Sequence, residues 1–202
     1  MVWLPLLAAF LLGSIPSAVL AGRLAGVDVR GEGSGNPGAT NTWRTVGPIP
    51  GLIVLALDVF KGWAAVVWVP TLMDGPPSWL PVAAGAAAIL GHVFNPFLLL
   101  RGGKGVATSA GVIGALSPQL LIVPLALFLI VFAWRRRVSV ASLVAAVSLA
   151  LTALGFRFLL PDYREPQGLL VFTGTLVLLL LWTHRDNLRR IRSGGEPPVR
   201  RT

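Results

Sequence analysis

The chain has no cysteine, two histidines, one tyrosine and only 12% charged residues in 202 positions. The missing cysteine excludes disulfides, thiolate catalysis and Cys-ligated metal. Two histidines without cysteine argue against a metal site of any kind, and no cofactor is implied. A soluble domain carries about 25% charged residues, so half that level cannot coat a water-exposed globule of this size. Acidic residues are the scarcest charge, with eight Asp plus Glu against seventeen Lys plus Arg and a formal net charge of +9. What is abundant is apolar: 54% of residues are hydrophobic and the mean hydropathy is +0.76. Lipid is the solvent such a chain suits, and the expected fold class is an all-α integral membrane protein.

A bilayer core of about 30 Å needs roughly 20 apolar residues as helix. Residues 2–22, 49–72, 79–100, 118–134, 138–160 and 168–182 approach or meet that length, and 106–116 is apolar but short. The first stretch has no Lys or Arg before it and further spans follow, so it reads as a span and not as a cleaved signal. Counting 106–116 gives seven spans and omitting it gives six, and the positive-inside rule arbitrates. With seven spans and the N-terminus outside, the cytoplasmic segments hold Arg23, Arg30, Arg44, Arg101, Lys104, Arg135, Arg136, Arg137 and the six arginines after Trp182. Arg157 and Arg164 fall outside and Lys61 lies within a span. Six spans would split the basic segments between both faces. Seven transmembrane helices, N-terminus outside and C-terminus cytoplasmic, is therefore the expectation. The arginines then anchor topology beside an anionic leaflet and require no nucleic acid. A single transmembrane domain over 1–193 is expected, with 194–202 a disordered cytoplasmic tail.

The polar residues gather into short segments. The first is Arg30-Gly-Glu-Gly-Ser-Gly-Asn-Pro-Gly-Ala-Thr-Asn-Thr-Trp-Arg44. Its glycines (Gly33, Gly35 and Gly38 among them) let backbone amides approach a ligand, and successive N–H groups in such turns make anion-binding nests. Ser34, Asn36, Thr40 and Asn41 add side-chain donors, and Arg44 can grip phosphate bidentately. An ordinary loop with helix-capping residues is the plain alternative, but the density of donors closed by an arginine favours phosphate. A nucleotide P-loop is excluded, because the Gly-Lys-Ser/Thr ending is absent.

The second segment is Gly91-His92-Val-Phe-Asn-Pro-Phe-Leu-Leu-Leu-Arg-Gly-Gly-Lys-Gly105. Gly102, Gly103, Lys104 and Gly105 form a flexible cationic turn before an apolar helix. Alone it is equally a topology-fixing basic turn; as a second basic glycine loop on the same predicted face, it points to an anion. His92 is either a packing histidine or part of that pocket. Asp58 and Lys61 lie three apart on one helical face and can pair, as a structural pair or as a substrate contact. Ser139 and Ser142 follow the triple arginine, and His184 and Asn187 stand where the last span ends. Each is ordinary alone, and all fall on the predicted cytoplasmic side.

Taken together, these motifs resemble the bacterial acyl-phosphate:glycerol-3-phosphate acyltransferases, the PlsY family. The resemblance rests on Gly33-Ser-Gly-Asn-Pro-Gly-Ala-Thr-Asn-Thr-Trp-Arg44, on Gly91-His92 followed by Gly102-Gly-Lys-Gly-Val-Ala-Thr108, on Ser139-Val-Ala-Ser142, and on His184-Arg-Asp-Asn187. It implies seven helices in the bacterial cytoplasmic (inner) membrane and transfer of a fatty acyl group from acyl phosphate to sn-glycerol 3-phosphate. The products it implies are lysophosphatidic acid and phosphate, in the first step of phospholipid synthesis. By the same resemblance Ser34, Gly35 and Asn36 cradle the acyl-phosphate headgroup. Arg44, Lys104, Ser142, His184 and Asn187 hold glycerol 3-phosphate and neutralise phosphate, and His92 with Gly102, Gly103 and Gly105 completes the pocket. Three departures are visible. Asp186 stands where relatives commonly carry Glu, Arg101 replaces a common Lys, and Asn95-Pro96 differs from the usual aromatic-Pro order.

Such chemistry demands no covalent acyl-enzyme, since acyl phosphate is already an activated mixed anhydride. Fixed donors would stabilise the charge that develops on the carbonyl oxygen and on the leaving phosphate. The departing phosphate is favoured as the proton acceptor over Glu32, His92 or His184. The competing reading is a transporter of a phosphorylated small anion, whose site is expected near the bilayer midplane among discontinuous helices. A non-catalytic headgroup binder would not need His184 and Asn187. Membrane lipids are expected partners, and no obligate protein partner is evident.

Overall fold

The computed structural model describes residues 2–160, 166 and 168–195. These fall into two compact units, Met1–Leu116 and Ser117–Thr202. Every regular element among the described residues is helical. The polarity of each unit is inverted relative to a soluble domain. Leu, Ile, Phe and Trp side chains line the exterior, while Asp58, Lys61, His92, Asn95, Ser142, His184 and Asn187 are buried. Apolar exteriors and polar interiors are what lipid selects, because every polar group must find its partner inside the protein.

The first unit opens with α1 (Trp3–Gly13) and α2 (Ser17–Leu24). The single span expected here is present, Trp3–Leu24, but its helix is interrupted at Ser14, Ile15 and Pro16, where proline lacks the N–H that would continue the ladder. Carbonyls at the break are met by side chains from elsewhere in the unit: Asn95 Nδ2, from the turn after α5, donates to Ser14 O at 2.6 Å, and Lys61 Nζ donates to Ile15 O at 3.0 Å. A short α3 (Ala39–Thr45) leads into α4 (Pro48–Val67), a 3₁₀ turn (Val69–Leu72) and α5 (Leu80–Val93). After α5 the expected span to residue 100 does not continue as α-helix. A 3₁₀ turn at Pro96–Leu98 is followed by Leu99 and Leu100, both left-handed.

The unit closes with α6 (Val106–Leu116), eleven residues long. Small residues lock it to α4: a side chain at Gly62 would strike the Thr108 carbonyl, and one at Gly111 would strike the Val59 carbonyl. The same device joins α1 to α5, where Gly13 meets the Ala88 backbone and Gly91 meets the Phe10 carbonyl. In a membrane, where no hydrophobic effect drives helices together, such close backbone approach carries the packing. Phe60, Trp63 and Trp68 form an aromatic group towards the C-terminal end of α4, with ring centroids 5.3–6.1 Å apart.

In the second unit, α7 (Pro118–Arg135) packs beside α8 (Val138–Leu159) and buries only Leu120 and Pro124. α9 (Leu169–Thr183) packs on α8 and bends by 58° at His184 into α10 (Arg185–Arg192). Five helical stretches among the described residues are long and apolar enough to cross a membrane, or six if the bent pair counts as one. Residues 196–202 of the expected tail, and Arg164 of the charge count, lie outside the described residues.

Candidate active site

The first glycine loop is held by one buried side chain. Asn41, in the first turn of α3, is 2% exposed. Its Nδ2 donates to the carbonyls of Val29 (2.7 Å) and Glu32 (3.1 Å), and its Oδ1 accepts from Ser34 N (2.8 Å) and Ser34 Oγ (3.1 Å). Both ends of the amide are thus engaged inside the loop. Asn41 shapes the turn, and Ser34 is displayed on it, exposed. Gly33 and Gly35 have φ of 60° and 69°, the left-handed region that favours glycine. A side chain at Gly33 would also collide with Asn41 Oδ1. Gly35, Asn36, Gly38 and Thr40 are partly exposed along the same turn, and Arg44 is exposed on α3. Arg44 lines an open depression with Gly33, Thr45, Asp28 and Glu32. Asp28 in its wall is engaged by Arg30, whose Nε and guanidinium NH2 donate at 2.9 Å to the two carboxylate oxygens. That hydrogen-bonded pair brings the Asp28 carboxyl down to about 2.

The second loop is built differently. Gly102 N donates to Val93 O at 3.0 Å and Gly103 N donates to His92 O at 3.1 Å, zipping the loop onto the end of α5. Gly103 lies so close to the His92 ring that a side chain there would meet Nε2. His92 is therefore buried behind the loop, supporting it from beneath. Lys104 is partly exposed beyond it, and Gly105, with φ of 87°, turns the chain into α6.

The two loops share a footing. Val29 at the root of the first and Leu98 ahead of the second belong to one apolar cluster with Ala18, Val19 and Val54, and Ala39 packs against it. Chain direction agrees: α4 starts where the first loop ends, and α5 returns to finish where the second begins. Both cationic glycine loops thus rise at one end of this unit.

In the second unit, Ser139 and Ser142 occupy the first turns of α8 and are buried. Ser142 Oγ has no hydrogen-bond partner among the described residues. A buried hydroxyl left in that state costs about 1–3 kcal/mol. His184 sits at the α9–α10 bend, 2% exposed, with Nδ1 2.8 Å from the Leu180 carbonyl. A carbonyl only accepts, so Nδ1 carries the hydrogen in this contact. Asn187, one turn along α10, is also buried.

The expected pairing of Asp58 with Lys61 on α4 is present, Lys61 Nζ lying 2.8 Å from Asp58 Oδ1. Residue-type reading missed the partners that other elements bring to Asp58, Ser17 and His92, and the buried Trp43 Nε1 and Thr108 Oγ1, which likewise lack a hydrogen-bond partner among the described residues.

Fold and loops define an integral membrane protein with two basic glycine loops at one end of its first unit. The family described as glycerol-3-phosphate acyltransferase matches residues 3–194. The chain is 40% identical over 198 residues to the glycerol-3-phosphate acyltransferase of Geotalea daltonii, covering 97% of this chain and 96% of that protein. It is 39% identical to the protein of that name from Halalkalibacterium halodurans, covering 96% and 93% respectively. A crystal structure of PlsY, an integral membrane glycerol 3-phosphate acyltransferase, in its glycerol 3-phosphate form superposes with a TM-score of 0.85. Its sequence is 36% identical, and the match spans 98% of this chain and 94% of that one. The lysophosphatidic acid form gives 0.83. The chain belongs to the glycerol-3-phosphate acyltransferase family.

Proposed function

We propose that this protein transfers a fatty acyl group from acyl phosphate to the 1-hydroxyl of sn-glycerol 3-phosphate at the cytoplasmic face of a bacterial inner membrane. It has seven spans, with the N-terminus outside and residues 1–193 acting as one catalytic domain. Family membership supports the acceptor, and the basic residues gathered on one predicted side support the orientation. The observation that carries direct transfer is the environment of Ser34. Its Oγ lies 3.1 Å from Asn41 Oδ1, an amide oxygen that cannot take a proton. A nucleophilic serine needs an adjacent base; this one is arranged to orient and donate.

Ser34, Gly35 and Asn36, with Gly38 and Thr40 along the same turn, hold the acyl-phosphate headgroup, and Asn41 keeps that turn in shape. Lys104, with Gly102, Gly103 and Gly105, and Arg44 neutralise phosphate so that two anions can approach. Ser142, His184 and Asn187 hold glycerol 3-phosphate. The 1-hydroxyl oxygen attacks the acyl carbonyl carbon, the carbon–oxygen bond to phosphorus breaks, and the hydroxyl proton leaves on the released phosphate. No covalent intermediate and no cofactor enter. Positioning and fixed donors supply the rate.

Purified protein in a lipid-like medium, given glycerol 3-phosphate with acyl phosphate, acyl-CoA or acyl-carrier protein, tests the donor by phosphate release and product formation. Acyl phosphate is expected to be the donor used, and turnover with acyl-CoA instead would overturn that assignment. Acyl phosphate without acceptor should give no burst of phosphate; a stoichiometric burst would reveal an acyl-enzyme. Ser34→Ala, Lys104→Ala and His184→Ala should each fold and turn over at least tenfold more slowly. A reporter fused after Thr202 should read cytoplasmic.

A further inference from the structure

Behind the second glycine loop lies a buried polar cluster that the proposed reaction does not use. Asp58 Oδ1 receives Ser17 Oγ from α2 at 3.0 Å and Lys61 Nζ at 2.8 Å, and His92 Nδ1 faces it at 3.8 Å. All four residues are buried. Lys61 also donates to the Ile15 carbonyl at the break before α2. A charge inside a span is costly and is kept where it has a partner or a task.

The ion pair alone would suffice to knit α4 to the break before α2. What it does not account for is the placement of His92. One edge of this ring is turned to the Asp58 carboxylate and the opposite edge to Gly103, the residue before Lys104. At 3.8 Å the first contact is longer than a hydrogen bond. The carboxylate still favours a hydrogen on Nδ1 and thereby sets which way the ring faces. The loop is also tied to the His92 backbone, whose carbonyl accepts from Gly103 N, and this keeps Gly103 against the ring. The sequence of contacts is therefore Ser17 and Lys61 to Asp58, Asp58 to His92, and His92 to the anion loop.

We infer that Asp58, fixed by Lys61 and Ser17, is a positioning residue for phosphate binding: it holds the His92 ring against Gly103 and so sets the height and orientation of the loop carrying Lys104. Asp58 touches no substrate. The inference rests on the proposed function for the identity of the phosphate carried, and on geometry alone for the loop.

The test uses the full-length protein with Asp58→Asn and Lys61→Met combined, which removes both charges together and strands neither. Glycerol 3-phosphate KM, kcat and the Kd of inorganic phosphate are measured beside the thermal midpoint. A positioning role predicts a folded protein whose KM and phosphate Kd rise tenfold or more, while kcat at saturation falls less than threefold. A purely structural role predicts the opposite split, with fewer active molecules, lower kcat and unchanged KM and Kd; that result overturns the inference. If the pair fails to fold, Ser17→Ala removes one hydrogen bond and no charge. It should raise phosphate Kd about threefold, and an unchanged Kd in the folded variant overturns the inference as well. Inactivity of the wild type with every donor would refute the proposed reaction, while the phosphate Kd would still decide the role of Asp58.

Discussion

The two glycine loops do the same kind of work by different construction. The first is drawn around a single side chain: Asn41 holds the Val29 and Glu32 carbonyls with one end of its amide and Ser34 with the other. The second is fastened by its own backbone to the end of α5 and propped by the His92 ring. A loop organised by one residue fails with that residue, whereas a loop zipped to a helix end shares the load over several contacts. Sensitivity to substitution should therefore be concentrated in the first loop and graded in the second.

The sharpest way to break that comparison is Asn41→Ala. It removes four hydrogen bonds, worth together about 3 kcal/mol as a net contribution. If all of that is lost from the ordered loop, turnover falls about 100-fold or more. An Asn41→Ala enzyme within fivefold of wild type in phosphate release would show that the loop has other support. Gly103→Ala comes next. Its new methyl group must displace either His92 or the loop, and about a 30-fold rise in glycerol 3-phosphate KM is expected with the α5 zipper intact. Equal losses for the two variants would erase the distinction between the constructions.

Ser142→Ala lies outside both loops and separates function from stability. Removing a buried hydroxyl that has no partner should leave the thermal midpoint unchanged or raise it, by about 1 kcal/mol in stability, while turnover falls about tenfold. A lowered midpoint would mean the hydroxyl was supporting the fold. The smallest effect belongs to Asp28→Asn at the root of the first loop. Folding with Arg30 lowers this carboxyl from 3.8 to about 2. Its contribution to stability is thus present above about pH 4 and disappears as the pH falls through about 2. Because the pair is exposed, turnover at neutral pH should stay within twofold. The difference in thermal midpoint from wild type, small at neutral pH, should close in acid. A gap that widened in acid would contradict the pairing.

Much of this was legible in the sequence because the informative residues are contiguous. Glycines, Ser34, Asn36 and Arg44 lie within a dozen positions, and the long apolar runs are contiguous as well. What escaped depends on contacts distant in sequence. Nothing local to Asp58 names Ser17 or His92, which are 41 and 34 positions away and become neighbours only when three helices pack. Residue type also could not separate a ligand from a brace: Asn41 has the chemistry of a phosphate donor, and the structure spends both ends of its amide on the loop. The break at Pro16 was hidden inside an otherwise continuous apolar run, since neighbouring helices can re-satisfy the freed carbonyls. The bend at His184 was visible only as the place where hydrophobicity stops.

The short α6 bears on where in the bilayer the chemistry happens. Eleven residues rise about 16 Å, roughly half the hydrocarbon thickness of about 30 Å. If α6 crosses as the proposed seven-span arrangement requires, a helix of that reach, gripped by α4 through Gly62 and Gly111, would draw its preceding loop down from the headgroups towards the depth of the lipid ester carbonyls. An acyl donor whose tail rests among neighbouring chains would already have its reactive carbonyl at that level. For the proposed reaction, the catalyst would then have no need to lift an oily molecule into water; it would only have to let a small hydrophilic one sink a few ångströms.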